Sequence, residues 1–209
     1  LNKLLDHDAI ISSDSGTIAT WCARYIQIRD QMQFSLSGSL ATMANGLPYS
    51  VGAAVAYPGR QVVAVVGDGG FAMLMCEFIT LVKYNLNVKI IVIKNNVLGE
   101  IKWEQLAMSG NPQFGVELQP VDFALFAKAC GGAGFTIERP EQAESVLRQA
   151  LSIPGPALIE AVVDPNEPPL PGKISTKQVI TFAEALLRGE KDRFDIIKTV
   201  LEDKVREIV

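Results

Sequence analysis

The fold is decided by residues 62–74, VVAVVGDGGFAML, together with residues 88–105, VKIIVIKNNVLGEIKWEQ. Each stretch opens with a strand-length run of apolar, mostly β-branched residues and continues into a segment with helical spacing. The first run ends in Gly67 and the second in Lys94-Asn95-Asn96. Strand-to-helix units of this kind predict an α/β domain with a largely parallel sheet.

The same alternation extends over most of the 209 residues. A connector at 164–173 contains four prolines, so we predict one domain over 1–165 and a connector with two C-terminal helices over 166–209. The predicted strands are 9–12, 33–36, 62–66, 88–93, 135–137 and 156–163, and the predicted helices are 17–28, 47–56, 71–84, 98–108, 120–130, 141–151, 177–188 and 193–208.

Composition narrows the classes of function. Hydrophobic residues make up 48% of the chain and charged residues 20%, which is typical of a globular protein. The apolar runs are far shorter than the roughly 20 residues of a membrane-spanning helix. The net charge of -4 arises from 19 basic and 23 acidic residues spread along the chain, so we expect no nucleic acid partner. Small-molecule chemistry is favoured.

Histidine and cysteine usage excludes several kinds of site. His7 is the single histidine, so triads built on His and zinc sites built on several His are excluded. Cys22, Cys76 and Cys130 form no C-x-x-C motif and suggest neither a disulfide framework nor structural zinc. We expect a reduced, cytoplasmic setting. The chain does not begin with Met, and we expect it to be a piece of a longer protein.

The turn Gly67-Asp68-Gly69-Gly70 follows a buried strand and precedes a helix, a geometry that binds phosphate. Gly67, Gly69 and Ala72 also satisfy the dinucleotide pattern G-x-G-x-x-G/A. Two features oppose a dinucleotide: Asp68 would repel a bare pyrophosphate, and the next strand does not end in an acid that would hold a ribose. Mg²⁺ bound to Asp68 would neutralise both the carboxylate and the phosphates, and the side chain of Asn95 can supply a second oxygen ligand.

Gly67-Asp68-Gly69, followed after 25 residues by Asn95-Asn96, resembles the thiamine diphosphate motif of thiamine-dependent enzymes. The resemblance covers residues 1–165 and implies a three-layer α/β/α domain, the pyrophosphate-binding C-terminal third of a longer enzyme. It implies that Mg²⁺ is held by Asp68, by the Asn95 side chain and by the carbonyl of Val97. The implied diphosphate contacts are Ser15, Gly16, Thr17, Gly67, Gly69, Gly70, Leu98 and Gly99.

The segment Ala41-Thr42-Met43 matches the place where the cofactor bends in this family. The resemblance implies that Met43 is the apolar wedge and that the carbonyl of Ala41 accepts a hydrogen bond from the 4'-amino group, which makes these two the expected catalytic residues. Simpler interpretations are open for each position. Asp68 could cap a helix, Asn95 could form a turn, and Met43 could be an ordinary core residue.

Among members, the segments 15–25, 39–78 and 94–105 are most similar to pyruvate oxidases and quinone-dependent pyruvate dehydrogenases. These are flavoproteins, and their FAD is bound in a middle domain that this chain lacks. Acetolactate synthases are the alternative, although their pattern near Met43 reads GTMG where this chain has ATMA. A dinucleotide-binding dehydrogenase domain and a non-catalytic module are further alternatives.

The family also implies partners. A glutamate on a pyrimidine-binding domain, normally from another subunit of a homodimer or homotetramer, completes the site, so we expect this chain alone to be inactive towards a 2-oxo acid. The last helix carries apolar residues on one face, which we expect to pack on the core or a neighbouring subunit, or to touch the inner membrane surface weakly. They are Phe194, Ile197, Val200, Leu201, Val205 and Ile208.

Overall fold

The computed structural model describes residues 1–169 and 175–208. Six strands form one sheet in the order β2-β1-β3-β4-β6-β5, and all neighbouring strands are parallel. The predicted α/β architecture with a parallel sheet is confirmed. The strands are β1 (Ile10–Ser13), β2 (Gln33–Ser35), β3 (Val62–Gly67), β4 (Val88–Lys94), β5 (Ala133–Ile137) and β6 (Ala157–Val162).

Helices connect these strands and follow the last of them. Short 3-10 turns occur at Asn2–Leu4 and Pro140–Gln142. The α-helices are α1 (Thr17–Tyr25), α2 (Gly46–Ala56), α3 (Asp68–Leu74), α4 (Glu77–Lys83), α5 (Gly99–Ala107), α6 (Phe123–Ala129), α7 (Ala143–Ser152), α8 (Thr176–Leu187) and α9 (Arg193–Ile208).

Two apolar cores cover the two faces of the sheet. In β3, Val62, Ala64 and Val66 belong to one core and Val63 and Val65 to the other, because successive side chains of a strand point to opposite faces. The first core includes side chains of α2, α3, α4 and α6, and the second includes side chains of α1 and α7. The result is a three-layer α/β/α arrangement, as expected.

The single helix predicted over 71–84 is wrong, because the structure has two helices there. Between α3 and α4 the N–H of Phe78 donates to the carbonyl of Met75 (3.0 Å), three residues back instead of four. This tighter turn interrupts the α-helix without glycine or proline. The first helix also begins earlier than predicted, so that Gly69 and Gly70 lie within its first turn.

The chain divides into two compact units. The first comprises Leu1–Asn95 and Pro120–Val163 and contains the sheet. The second comprises Asn96–Gln119 and Asp164–Val209, and in it Trp103 of α5 packs in one cluster with residues of α8 and α9. This division differs from the predicted boundary near residue 165, because Trp103 and Leu106 of α5 are buried with side chains of the C-terminal helices.

Among the described side chains of the apolar face predicted for α9, Val200 joins the cluster around Ile196. Phe194, Ile197 and Leu201 are exposed. The side chains of Val205 and Ile208, and residues 170–173 of the predicted connector, lie outside the described residues. Among the described residues, no helix has both the length and the apolar character needed to cross a membrane.

Candidate functional site

Three groups of candidate residues of the first unit lie after three neighbouring strands. β1 ends at Ser13, β3 at Gly67 and β4 at Lys94, and these strands are adjacent in the sheet. Because parallel strands end at the same edge, the residues that follow them come together there. The structure thus brings the predicted Ser15–Thr17, Gly67–Gly70 and Asn95 to one edge of the sheet.

Asp68 links the ends of β3 and β4. Its carboxylate is buried, with Oδ1 accepting from the Gly69 N–H (2.8 Å) and Oδ2 accepting from the Asn95 N–H (3.0 Å). Each carboxylate oxygen has more than one lone-pair site, so an oxygen that accepts an N–H can also contact a cation. Asp68 and Asn95, the predicted pair, are therefore held side by side at the sheet edge.

The predicted bend segment lies just before α2. Ala41 and Thr42 are exposed, Met43 is half-buried and Ala44 is buried. Ala41 (φ 48°) and Ala44 (φ 69°) both have left-handed backbone conformations, which are costly for a residue other than glycine. Strained backbone thus flanks Met43 on both sides.

Asp14 is a site residue that sequence reasoning missed. It follows β1 directly, is 1% exposed, and its Oδ1 accepts from the Gly46 N–H (2.7 Å). Burial raises the pKa of this carboxyl to about 6, and the nearby backbone N–H groups of Gly46 and Ala44 oppose the increase. The available signal was an acid placed at the carboxyl end of a buried strand, immediately before the Ser-Gly-Thr turn.

Buried polar atoms without a hydrogen bond cluster at the end of β1. Within the described part of the chain, these side-chain atoms are Ser12 Oγ, Asp14 Oδ2, Ser15 Oγ and Asn45 Oδ1. Unpaired buried polar groups are costly, and native proteins rarely keep them without a functional reason. Ser15 was predicted to bind diphosphate, whereas Ser12 and Asn45 were not predicted.

The remaining predicted residues belong to the second unit. Val97 is buried and forms an isolated antiparallel bridge with Glu117, and the Leu98 N–H donates to the Val116 carbonyl (2.8 Å). Gly99 is the first residue of α5. These bonds fix the backbone of the segment, while the predicted roles of Val97, Leu98 and Gly99 towards metal and diphosphate stay predictions.

Comparison with known proteins identifies the family. Residues 14–161 match the family described as thiamine pyrophosphate enzyme, C-terminal TPP binding domain, TPP being thiamine diphosphate. The chain belongs to this family. The matched range begins at Asp14 and includes Ser15–Thr17, Gly67–Gly70 and Asn95 at the sheet edge.

Several relatives resemble this thiamine diphosphate-binding domain over most of its length. The Bacillus subtilis protein YdaP, named as a thiamine pyrophosphate-containing protein, is 38% identical over 94% of this chain and 34% of its own length. Pyruvate oxidase of Lactiplantibacillus plantarum is 34% identical over 93% of this chain and 32% of its own. The catabolic acetolactate synthase of Raoultella terrigena is 32% identical over 86% of this chain and 32% of its own length. The chain spans about a third of the length of these relatives.

The residues present fit the cofactor of this thiamine diphosphate-dependent family. The unpaired Ser15 Oγ and Asn45 Oδ1 are polar groups suited to a polar ligand. Within the described residues there is no cluster of three or more His, Cys, Asp or Glu that could hold a metal ion. A Mg²⁺ site here would therefore depend on amide and carbonyl oxygens beside Asp68, and the side-chain amide of Asn95 in the predicted set is a group of this kind.

Proposed function

We propose that this chain is the cofactor-binding C-terminal part of an enzyme that decarboxylates a 2-oxo acid, with the activity of a pyruvate oxidase or quinone-dependent pyruvate dehydrogenase. The observation that carries the proposal is the buried Asp68 carboxylate, held against Asn95 at the sheet edge of a thiamine diphosphate-binding domain. Similarity to a pyruvate oxidase over 93% of the chain supports the choice of substrate.

In this proposal the residues of the chain bind and orient the cofactor. Asp68, Asn95 and the Val97 carbonyl would hold Mg²⁺, and Ser15–Thr17 with Gly69 and Gly70 would bind the diphosphate. Met43 would support the bend between the two rings, and the Ala41 carbonyl would orient the amino group. When bound, thiamine diphosphate supplies the electron sink that lets carbon dioxide leave.

The decisive experiment is an anaerobic absorption spectrum of the full-length protein. The proposal expects bound FAD, located outside this chain, whose absorption bleaches when pyruvate is added together with Mg²⁺ and thiamine diphosphate. Reoxidation by a quinone or by oxygen would then identify the electron acceptor. A protein without flavin, or with flavin that stays oxidised while pyruvate is consumed, would contradict the oxidase proposal.

Acetolactate synthase activity is the second candidate. Its support is the similarity to acetolactate synthases at 32–34% identity over 86–87% of the chain. The residues at 41 and 44 favour the oxidase, because this chain has alanine where the synthase pattern has glycine. Product analysis separates the two activities: acetolactate formed from two molecules of pyruvate would support the synthase.

We also propose that a pyrimidine-binding domain of a second subunit completes the site in a homodimer or homotetramer. Support comes from exposed apolar side chains on α2, α3 and α4, three helices of the first unit that lie together. Large exposed apolar patches usually mark interaction surfaces. The side chains are Tyr49, Val55, Met73, Leu74 and Ile79.

For location we propose the cytoplasm, with at most a weak contact between α9 and the inner membrane surface. The described polar side chains of α9 include both Asp195 and Lys198, so attraction to anionic lipid should be small. Flotation of the full-length protein with anionic vesicles would test this. Strong, salt-resistant binding to the vesicles would overturn it.

A further inference from the structure

We infer that Asp14 is a positioning residue, which holds the backbone of residues 44–46 against the end of β1 and thereby fixes where Met43 projects. The inference rests on the proposed function, since it concerns the role of Met43 as the support of the cofactor bend. It adds a residue outside the predicted set of cofactor contacts.

Two hydrogen bonds tie the segment after Met43 to the end of β1. The Gly46 N–H donates to Asp14 Oδ1 (2.7 Å), and the Asn45 side-chain amide donates to the Ser13 carbonyl (3.0 Å). Both bonds are buried. Two successive residues of the segment are therefore attached to two successive residues at the end of the strand.

Close packing leaves Asp14 little freedom to move. A Cβ atom added at Gly70 would collide with Asp14 Oδ2, and one added at Gly46 would lie 3.1 Å from Oδ1 and 2.6 Å from Val66 Cγ1. The carboxylate is thus enclosed between the first turn of α3 and the start of α2. A side chain at position 70 would displace the carboxylate, and one at position 46 would collide with Val66 and press on the carboxylate.

The segment that Asp14 holds is strained. Ala41 and Ala44, on either side of Thr42 and Met43, have φ angles of 48° and 69°. Such conformations persist in residues other than glycine only when the surroundings impose them. The bonds to Asp14 and Ser13 follow Ala44 directly, so they are placed to impose this conformation and, with it, the direction of the Met43 side chain.

The test compares two ligands by calorimetric titration of the full-length protein in the presence of Mg²⁺. Thiamine diphosphate would contact both the diphosphate-binding residues and Met43, whereas inorganic pyrophosphate would contact only the diphosphate-binding residues. We expect Asp14→Ala to weaken thiamine diphosphate binding by about tenfold and pyrophosphate binding by less than about threefold. Asp14→Asn keeps an acceptor of the same size and should retain most of the affinity.

Coupling to Met43 separates positioning from a general structural effect. In a Met43→Ala background, Asp14→Ala should change thiamine diphosphate affinity by less than about threefold, because the side chain to be positioned is gone. Asp122→Ala is the matched control. It removes another aspartate that accepts a backbone N–H, from Leu125 (2.7 Å), and that is not among the predicted cofactor contacts, so it should alter neither affinity.

The outcomes are distinct. Equal losses for both ligands, or the same loss with and without Met43, would overturn the inference in favour of a purely structural role. Unchanged affinity in Asp14→Ala would overturn it while leaving the proposed function intact. A wild-type protein that does not bind thiamine diphosphate would overturn both. If Asp14→Ala does not fold, Asp14→Ser, whose hydroxyl is too short to reach Gly46, takes its place under the same criteria.

Discussion

The Asp68 side chain hydrogen-bonds to residues that follow two neighbouring strands, accepting the N–H of Gly69 after β3 and the N–H of Asn95 after β4. In Asp68→Asn the side chain keeps its size and one acceptor oxygen but loses its charge. We expect Mg²⁺-dependent binding of thiamine diphosphate to fall by about a hundredfold, because the only acid of the proposed ligand set is removed. Calorimetric titration measures this loss.

A matched control for that substitution is Asp122→Asn. Asp122 caps α6 through its bond to the Leu125 N–H, and asparagine is an equally good cap. This variant should bind the cofactor as the wild type does. Comparable affinity in Asp68→Asn and Asp122→Asn would refute the assignment of Asp68.

Because Ala41 has a left-handed backbone conformation, we expect a glycine substitution there to stabilise the protein, whereas glycine in place of alanine usually destabilises it. Ala41→Gly should raise the free energy of unfolding by up to about 1 kcal/mol, because glycine adopts positive φ without the clash of a Cβ. Ala183→Gly, at an exposed position within α8, should lower it by about 0.5–1 kcal/mol. Urea unfolding of both variants measures the difference, and destabilisation by Ala41→Gly would contradict the prediction.

The buried Asp14 carboxyl makes stability depend on pH in the direction opposite to that of most aspartates. Its pKa is about 6 in the folded protein and 3.8 ordinarily, so the folded state binds more protons between these values. The free energy of unfolding should therefore fall as pH rises from about 4 to about 6, by at most about 3 kcal/mol from this group.

Asp14→Asn tests that dependence because asparagine does not titrate. Urea unfolding without Mg²⁺ at several pH values should show a smaller fall in stability over this range for the variant than for the wild type. Identical pH profiles would show that Asp14 does not titrate there.

Among the helices, α5 is held in its unit by a buried lysine. Lys102 is 1% exposed, and its Nζ donates to Asn166 Oδ1 (2.7 Å) and to the Pro165 carbonyl (3.2 Å), with Asp192 at 3.6 Å. Lys102→Met leaves these acceptors without their donor and should lower the free energy of unfolding by about 2 kcal/mol. Lys198→Met, at an exposed position of α9, should change it by less than about 0.5 kcal/mol.

Prediction from sequence succeeded for the strands and failed for features that depend on the tertiary structure. The strands were predictable because each is a local run of apolar residues. The grouping of site residues at one sheet edge was predictable because Gly67 and Asn95 mark the carboxyl ends of two parallel strands. The break between α3 and α4 was not predictable, since no glycine or proline marks it. Lys102 and Asp14 were missed because charged residues are normally solvated, and only the tertiary structure shows that these two are enclosed.

At the scale of the whole molecule, the chain spans about a third of the length of the relatives it matches. The exposed apolar side chains of α2, α3 and α4 are then expected to be covered by a second subunit. Ile79→Glu should shift the full-length protein towards the monomer in analytical ultracentrifugation, because a charge in an apolar interface is costly. Leu187→Glu, at an exposed position of α8, is the control and should leave the mass unchanged. An unaltered oligomer in Ile79→Glu would argue against this surface.

The strand order has one further consequence. From β1 the chain moves outward to β2, whereas from β3 it moves in the opposite direction to β4. The connections that leave β1 and β3 therefore diverge, which makes this a topological switch point, the place where open α/β sheets form a crevice for ligands. Asp14 directly follows the first of these two strands, and Asp68 directly follows the second. The crevice is a property of the path of the backbone, so Asp68→Asn should change what the crevice holds while the crevice itself persists.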